Sequence, residues 1–136
     1  MRKKIIYAGI ITAVVLALAS VAGQASSSET VSKKPENTLE PDVVMPNKVS
    51  RPGCEETNSC YVPHIITIKQ GEQVTWQNQD VAFHSVTSGS YDSPSDLFDS
   101  GHLDPQEKFT VSFSEKGTFD YFCTLHPWMA GQVVVE

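Results

Sequence analysis

The sequence predicts an all-β domain, built as an antiparallel β-sandwich or barrel. Short apolar runs alternate apolar and polar residues, which is the period of a strand with one buried face. Clusters of Gly, Pro, Asp and Ser interrupt these runs roughly every ten residues. Beyond the N-terminal segment, no stretch keeps the period of an amphipathic helix.

The strands follow from the runs in chain order. The clearest alternation places Phe119, Tyr121 and Cys123 on one face of a predicted strand. Trp76 and Phe109 are predicted core residues, and His64 is predicted to be a surface or strand-start residue rather than a ligand. His102 is also expected to have no ligand role, with a surface metal site as the alternative. The predicted strands cover residues 62–69, 73–77, 84–87, 108–113, 118–123 and 132–135. The acidic residues between them, Asp92, Asp96, Asp99 and Asp104, are predicted to lie on a solvated loop.

The N-terminus has the layout of an export signal. Arg2, Lys3 and Lys4 precede an uncharged, mostly apolar run over residues 5–22, and small residues follow it. We interpret residues 1–25 as a signal peptide. An uncleaved membrane anchor is the alternative, because 18 residues is near the lower limit for crossing a bilayer. With either fate, we expect the rest of the chain to work outside the cytoplasm.

Residues 26–50 are rich in Ser, Thr, Glu, Lys and Pro, and they contain few large apolar side chains. Such a composition buries too little surface to offset the entropy of ordering. We therefore predict a flexible linker over 26–50 and one folded domain over 51–136. A large multidomain enzyme is excluded by the length of 136 residues.

The charge balance excludes a nucleic-acid binder. The whole chain has a formal net charge of −6, and without residues 1–25 it carries 7 basic and 16 acidic residues, a net charge of −9. A polyanion would be repelled by such a surface, whereas a basic protein partner would be attracted. Nothing in the sequence argues for a dimer, so we expect a monomer.

The chain has three cysteines, an odd number for an exported protein. Cys54 and Cys60 enclose five polar residues, which permits a small disulfide loop in an oxidising compartment. A metal-binding pair is the alternative, although no His or third Cys stands near them. If the disulfide forms, Cys123 is left as a free thiol.

Cys123, His126 and Met129 follow a predicted strand at C-x2-H-x2-M spacing. A thiolate, an imidazole and a thioether within seven residues suit copper, and His84 is a candidate fourth ligand. A buried core cysteine is the ordinary alternative. Zinc fits less well because structural zinc sites use Cys and His rather than Met. A Cys–His nucleophilic pair would need an orienting third group, and none is visible.

Three motifs in order resemble the cupredoxins, most closely the plastocyanin and amicyanin branch. They are EKGTFDYFCTLHPWMAGQVVV over residues 115–135, GEQVTWQNQD followed by HSV over 71–80 and 84–86, and FDSG over 98–101. The likeness covers residues 63–136. It implies a Greek-key β-sandwich holding one type 1 copper, with His84, Cys123 and His126 as ligands and Met129 as the axial ligand.

The sequence departs from the family pattern beside the implied ligands. In much of the family an Asn follows the first histidine and hydrogen-bonds across to the residue after the cysteine. Ser85 and Thr124 stand at those positions here. We expect a weaker or water-mediated brace. Leu125 and the bulky Trp128 are further departures, which bear on the reduction potential and the solvent access of the copper.

The resemblance implies a one-electron carrier rather than an enzyme, working between extracytoplasmic redox partners. His126 would present its ring edge within an apolar patch of Leu125, Pro127, Trp128 and Met129, where a partner would dock. Two alternatives remain open at this point. An open copper site could act on a small molecule such as nitric oxide, or the domain could deliver copper, although 3 Met and 4 His are few for that role.

Overall fold

The computed structural model describes residues 40–136, which form two β-sheets around a shared core. The strands are β1 (Val43–Met45), β2 (Ile65–Ile68), β3 (Gln73–Asn78), β4 (Thr87–Ser90), β5 (Ser93–Asp99), β6 (Lys108–Ser112), β7 (Gly117–Phe122) and β8 (Ala130–Val135). One short 3-10 helix, Cys54–Thr57, lies between β1 and β2. Among these residues, none forms a helix long and apolar enough to cross a membrane.

The first sheet has the order β1-β3-β6, and the second has the order β2-β8-β7-β4-β5. The predicted all-β sandwich is confirmed. The sheets are mixed rather than purely antiparallel, because β1 runs parallel to β3 and β2 runs parallel to β8. Alternation could not reveal this difference: it reports which face of a strand is buried, and not the direction of its neighbour.

The core lies between the two sheets and is built around Trp76 of β3. This side chain is fully buried, and its ring lies 5.3 Å from Tyr121 and 6.1 Å from Phe98 and Phe109, measured between ring centroids. Tyr61 packs edge-on against Tyr121 at 4.9 Å. The predicted core role of Trp76 is confirmed, and Phe109 is partly buried against the same cluster.

The linker prediction is wrong for its last residues. Strand β1 lies inside the segment 26–50, Val43 and Met45 are fully buried, and Val49 is 5% exposed. A strand of three residues is too short to show an alternation of buried and exposed side chains. The Pro and acidic residues that flank it therefore made the segment resemble a linker. Residues 1–39, which include the predicted signal peptide, lie outside the described residues.

Two further strand predictions need correction. The predicted strand over 84–87 is displaced, since β4 covers Thr87–Ser90 and His84 makes only an isolated bridge to Leu103. The acidic segment predicted as a loop contains edge strand β5, which carries Asp96 and Asp99. Its side chains are mostly exposed, and an edge strand therefore resembles a loop in composition.

The disulfide prediction is confirmed, because Cys54 and Cys60 are bonded to each other. This bond closes the turn that contains the 3-10 helix. Cys123 remains a free, buried thiol, as expected. The alternative of a metal pair at Cys54 and Cys60 is removed, because both sulfurs are used by the disulfide.

Candidate metal centre

The candidate ligands come from two loops that meet beside the five-stranded sheet. His84 stands just before β4 and is held by two backbone hydrogen bonds with Leu103. Cys123, His126 and Met129 lie in the loop that joins β7 to β8. Strand β7, which precedes the Cys123 loop, pairs with β4, which follows His84, and with β8. The Cys123 end of its loop therefore lies next to the segment that carries His84.

The loop from Cys123 to Met129 is folded back on itself by its own backbone. The His126 amide donates to the Cys123 carbonyl at 3.4 Å, and the Met129 amide donates to the His126 carbonyl at 2.9 Å. The Cys123 amide donates to the Met129 carbonyl at 3.1 Å, which closes the loop. A spacing of three residues between the candidate ligands therefore corresponds to successive tight turns.

The ligand atoms of three residues converge on one point. Cys123 Sγ lies 3.9 Å from His84 Nδ1 and 3.5 Å from His126 Nδ1, and the two Nδ1 atoms are 3.1 Å apart. The side chains of His84, Cys123 and Met129 are fully buried, whereas His126 is partly exposed. The structure thus brings His84, Cys123 and His126 together as predicted, and it places Met129 in the same buried core cluster as Cys123.

The environment favours the thiolate of Cys123. Burial alone would raise the pKa of this thiol, but hydrogen bonds from His84 and from the backbone amides of Ser85 and Leu125 lower it below its ordinary value. The Ser85 amide lies 3.3 Å from Sγ. The thiolate is the form of cysteine that binds metals.

The two histidines differ in electrostatics. Burial would lower the pKa of His84, but its contacts with Cys123 and Asp80 raise it above the ordinary value. Burial and the neighbouring His84 both lower the pKa of His126. A neutral histidine keeps a lone pair that can bind a metal. The lowered pKa therefore suits a ligand role for His126, which is the more exposed of the two histidines.

Ser85 and Thr124 make a direct brace between the two loops. The Thr124 amide donates to Ser85 Oγ at 2.9 Å, and the two side-chain hydroxyl oxygens lie 3.1 Å apart. The link is therefore direct, and the expectation of a water-mediated one is wrong. A serine hydroxyl is shorter than an Asn amide, but it both donates and accepts, and here it reaches the backbone directly.

The contact of Asp80 with His84 was not predicted from the sequence. Asp80 Oδ2 lies 2.9 Å from His84 Nε2, the ring nitrogen that faces away from Cys123. The only available signal was an acidic residue four positions before His84 in an otherwise apolar stretch of Val81, Ala82 and Phe83. The spacing of the candidate ligands gives no reason to select Asp80, because a carboxylate in a loop is usually solvated.

The remaining histidines stand apart from the cluster. His64 is partly buried with its Nδ1 unpartnered, and His102 is exposed. Neither belongs to the group of close ligand atoms formed by His84, Cys123 and His126. The donor set of two imidazoles, one thiolate and a buried thioether fits copper better than zinc, because zinc sites rarely use Met.

A family model described as copper binding proteins, plastocyanin/azurin family, matches residues 50–136. These residues are more than half of the chain and contain all four candidate ligands. The chain therefore belongs to the plastocyanin/azurin family of copper-binding proteins, and the predicted copper cofactor is confirmed at the level of the family. His84, Cys123, His126 and Met129 form a type 1 copper-like site.

Relatives and a solved structure agree with this placement. Amicyanin from Paracoccus versutus is 38% identical over 76 residues, which are 56% of this chain and 58% of that protein. Plastocyanin from Cucumis sativus is 27% identical over 95 residues, covering 62% of this chain and 95% of that protein. The chain thus spans little more than half the length of the amicyanin it matches. A structure titled "Novel Purple Cupredoxin from Nitrosopumilus maritimus" has a TM-score of 0.63 and 30% identity, covering 69% of this chain and 97% of the other.

Proposed function

We propose that this protein is a one-electron carrier whose single copper would be held by His84, Cys123, His126 and Met129. The observation that supports the proposal is the convergence of one buried thiolate and two imidazoles within 4.8 Å of one another, beside a buried Met129. Copper bound there would supply reversible exchange of one electron between its two oxidation states.

The chain's own residues keep this geometry constant. His84 is fixed by Leu103 and Asp80, and the ligand loop is closed by three backbone hydrogen bonds. The brace between Ser85 and Thr124 holds the two loops together. A preorganised ligand set needs little rearrangement when the charge on the metal changes, and this suits a carrier.

The partly exposed His126 gives the electron a short route to the surface. Around it lie Leu125, which is 40% exposed, the exposed Pro127 and the partly buried Trp128, whose ring centroid is 5.3 Å from that of His126. Met129 belongs to the core and not to this surface, which narrows the predicted apolar patch. We infer that Leu125, Pro127 and the edge of His126 form the docking patch.

The partners that suit this patch are redox proteins with a basic surface. The domain is strongly acidic, and opposite charge would steer a basic partner toward it before the small apolar patch makes contact. The export layout of residues 1–25 supports an extracytoplasmic location, either free or tethered to a membrane. A monomer is sufficient for this role, because one chain contains the whole ligand set.

Electron exchange with cytochrome c, used as a basic redox probe, tests this function. We expect the copper-loaded chain to exchange one electron per molecule and to recover its absorption band over repeated cycles. The bimolecular rate should fall several-fold when ionic strength rises from about 0.05 to 0.5 M, because charges are then screened. Failure to cycle would contradict the carrier function.

The docking patch is tested separately with matched leucines. Leu125→Ser should lower the rate with cytochrome c several-fold, whereas Leu97→Ser should not, because Leu97 is 68% exposed on edge strand β5 and lies outside the ligand loops. If both variants exchange electrons at the wild-type rate, the docking surface lies elsewhere and the carrier function is unaffected.

A further inference from the structure

The carboxylate of Asp80 is buried and receives four hydrogen bonds. Its Oδ1 accepts from the backbone amides of Lys48 at 2.9 Å and Val81 at 2.8 Å. Its Oδ2 accepts from the Ser50 amide at 3.1 Å and lies 2.9 Å from His84 Nε2. Asp80 is 1% exposed. A buried carboxylate is tolerated when its oxygens are satisfied in this way.

The contact with Asp80 sets the orientation of the His84 ring. With Nε2 directed at the carboxylate, Nδ1 faces Cys123 and His126. Metal-binding histidines generally donate their other ring N–H to such a partner, which fixes the tautomer and makes the ring a better electron donor. Asp80 therefore has the geometry of a positioning residue for His84.

The same short segment that binds Asp80 also binds the other ligand loop. Val49 stands between Lys48 and Ser50, whose backbone amides both donate to Asp80. Its own carbonyl accepts a hydrogen bond from Trp128 Nε1 at 3.1 Å. Trp128 stands between His126 and Met129 in the chain. Residues 48–50 thus contact both sides of the metal centre.

Two features show that this segment is held in place. Val49 is 5% exposed and belongs to the core, so the segment is anchored by packing. Lys48 has a φ of 77°, a left-handed conformation that costs a non-glycine residue energy and persists only where its surroundings impose it. This strained residue also donates its amide to Asp80. Residues 48 and 49 also precede the part of the chain that the family model matches.

We propose that residues 48–50 and Asp80 form a clamp that positions His84 and ties its loop to the C-terminal ligand loop through Trp128. The clamp acts through His84 on the copper, and this inference rests on the proposed ligand set and carrier function. It assigns a role at the metal centre to a segment whose composition resembles a linker.

Asp80→Asn in the full chain tests the clamp. The asparagine amide keeps the shape of the carboxylate but carries no charge, and an NH2 donor replaces one of the two acceptor oxygens. His84 therefore loses its anionic partner. We expect copper affinity to fall about 10- to 100-fold, as for other residues that support metal ligands. The reduction potential should become more positive, because a weaker imidazole donor stabilises the more highly charged oxidised metal less. Asp92→Asn, which removes the same charge from an exposed turn, should change neither.

Trp128→Phe provides a second test that does not depend on a buried charge. It keeps an aromatic ring beside His126 and removes only the hydrogen bond to Val49. Copper affinity should fall, and the loss in the Asp80→Asn/Trp128→Phe double variant should be smaller than the product of the two single losses.

The outcomes separate this inference from the proposed function. Unchanged affinity and potential in folded Asp80→Asn, or purely multiplicative losses in the double variant, would overturn the clamp and leave the carrier function standing. Circular dichroism of each variant establishes that it is folded. If the wild-type chain itself shows no thiolate-to-copper absorption, the proposed ligand set fails, and the clamp loses its role with it.

Discussion

The hydroxyl of Tyr61 connects the core to the thiolate of the metal centre. It donates to the Ser85 carbonyl at 2.6 Å, and the Ser85 amide in turn donates to Cys123 Sγ at 3.3 Å. Tyr61 is fully buried. Burial, followed by the negative charges of Cys123 and Tyr121 when ionised, raises the pKa of Tyr61 well above its ordinary value.

Tyr61→Phe should lower the unfolding free energy of the metal-free chain by about 1–3 kcal/mol near pH 8, because the buried Ser85 carbonyl loses its donor. This difference should shrink at high pH. In wild type, Tyr61 stays protonated in the folded state but ionises near pH 10 when unfolded, so its stabilising effect is lost as pH rises.

Urea denaturation from pH 8 to pH 11 measures this change. The gap between wild type and Tyr61→Phe should narrow by about 1.4 kcal/mol at pH 11. Tyr91→Phe is the matched control for the loss of a tyrosine hydroxyl, since Tyr91 is 51% exposed and its substitution should cost less than about 0.5 kcal/mol near pH 8. A gap that stays constant over this range would contradict the buried, protonated state of Tyr61.

Residue types alone identified Cys123, His126 and Met129, because soft and imidazole ligands at short spacing are rare in a strand-rich chain. His84 came from the family resemblance and from its place before a strand. The resemblance pointed to Ser85 and Thr124 as a link between the loops, but their direct hydrogen bonds, across 39 residues of sequence, could not be predicted. The role of Asp80 depends on backbone amides 30 and 32 residues away as well as on His84, and no local pattern encodes those contacts.

At the scale of elements, the pairing of β7 with β8 positions the ligand loop. Tyr121 is paired with Gly131 and Phe122 with Ala130, and the loop of ligands connects the two strands directly. A Cβ atom at residue 131 would collide with the ring and hydroxyl of Tyr121. Glycine is therefore required there by the close approach of the two strands.

Gly131→Ala should destabilise the domain by about 1–3 kcal/mol, because the Tyr121 ring must move within a close-packed core. Chemical denaturation measures the loss. Ala130→Ser, at the exposed neighbouring position, should stay within about 0.5 kcal/mol of wild type. If Gly131→Ala were as stable as wild type, the close packing of Tyr121 against β8 would be wrong.

The elements with strong alternation were predictable, and those at the edges were not. Strands β6 and β7 lie within one residue of their predicted bounds, since each has one face in the core. Strand β5 is exposed at an edge, and β1 has only three residues, so neither carries a periodic signal. Their places depend on pairing with β4 and β3, which is a property of the assembled sheets.

On the scale of the whole molecule, the sandwich brings one buried ligand from before β4 together with a ligand loop that follows β7. The two sheets bury the aromatic core, and the acidic surface lies outside it. Length, composition and three ordered motifs were enough to predict this arrangement. The joining of residues 48–50 to both ligand loops was not predictable, because their composition matches that of the rest of the segment predicted as a linker.

The visible and EPR spectra of the Cu(II)-loaded chain, recorded with and without azide, test the central claim most directly. A closed site with Cys123 thiolate bound to copper predicts an intense thiolate-to-copper band and a narrow copper hyperfine splitting, both unchanged by azide. A band that shifts with azide would indicate an open site able to bind small molecules. Absence of the band from a folded, copper-loaded sample would contradict the account, and Cys123 would then be an ordinary core residue.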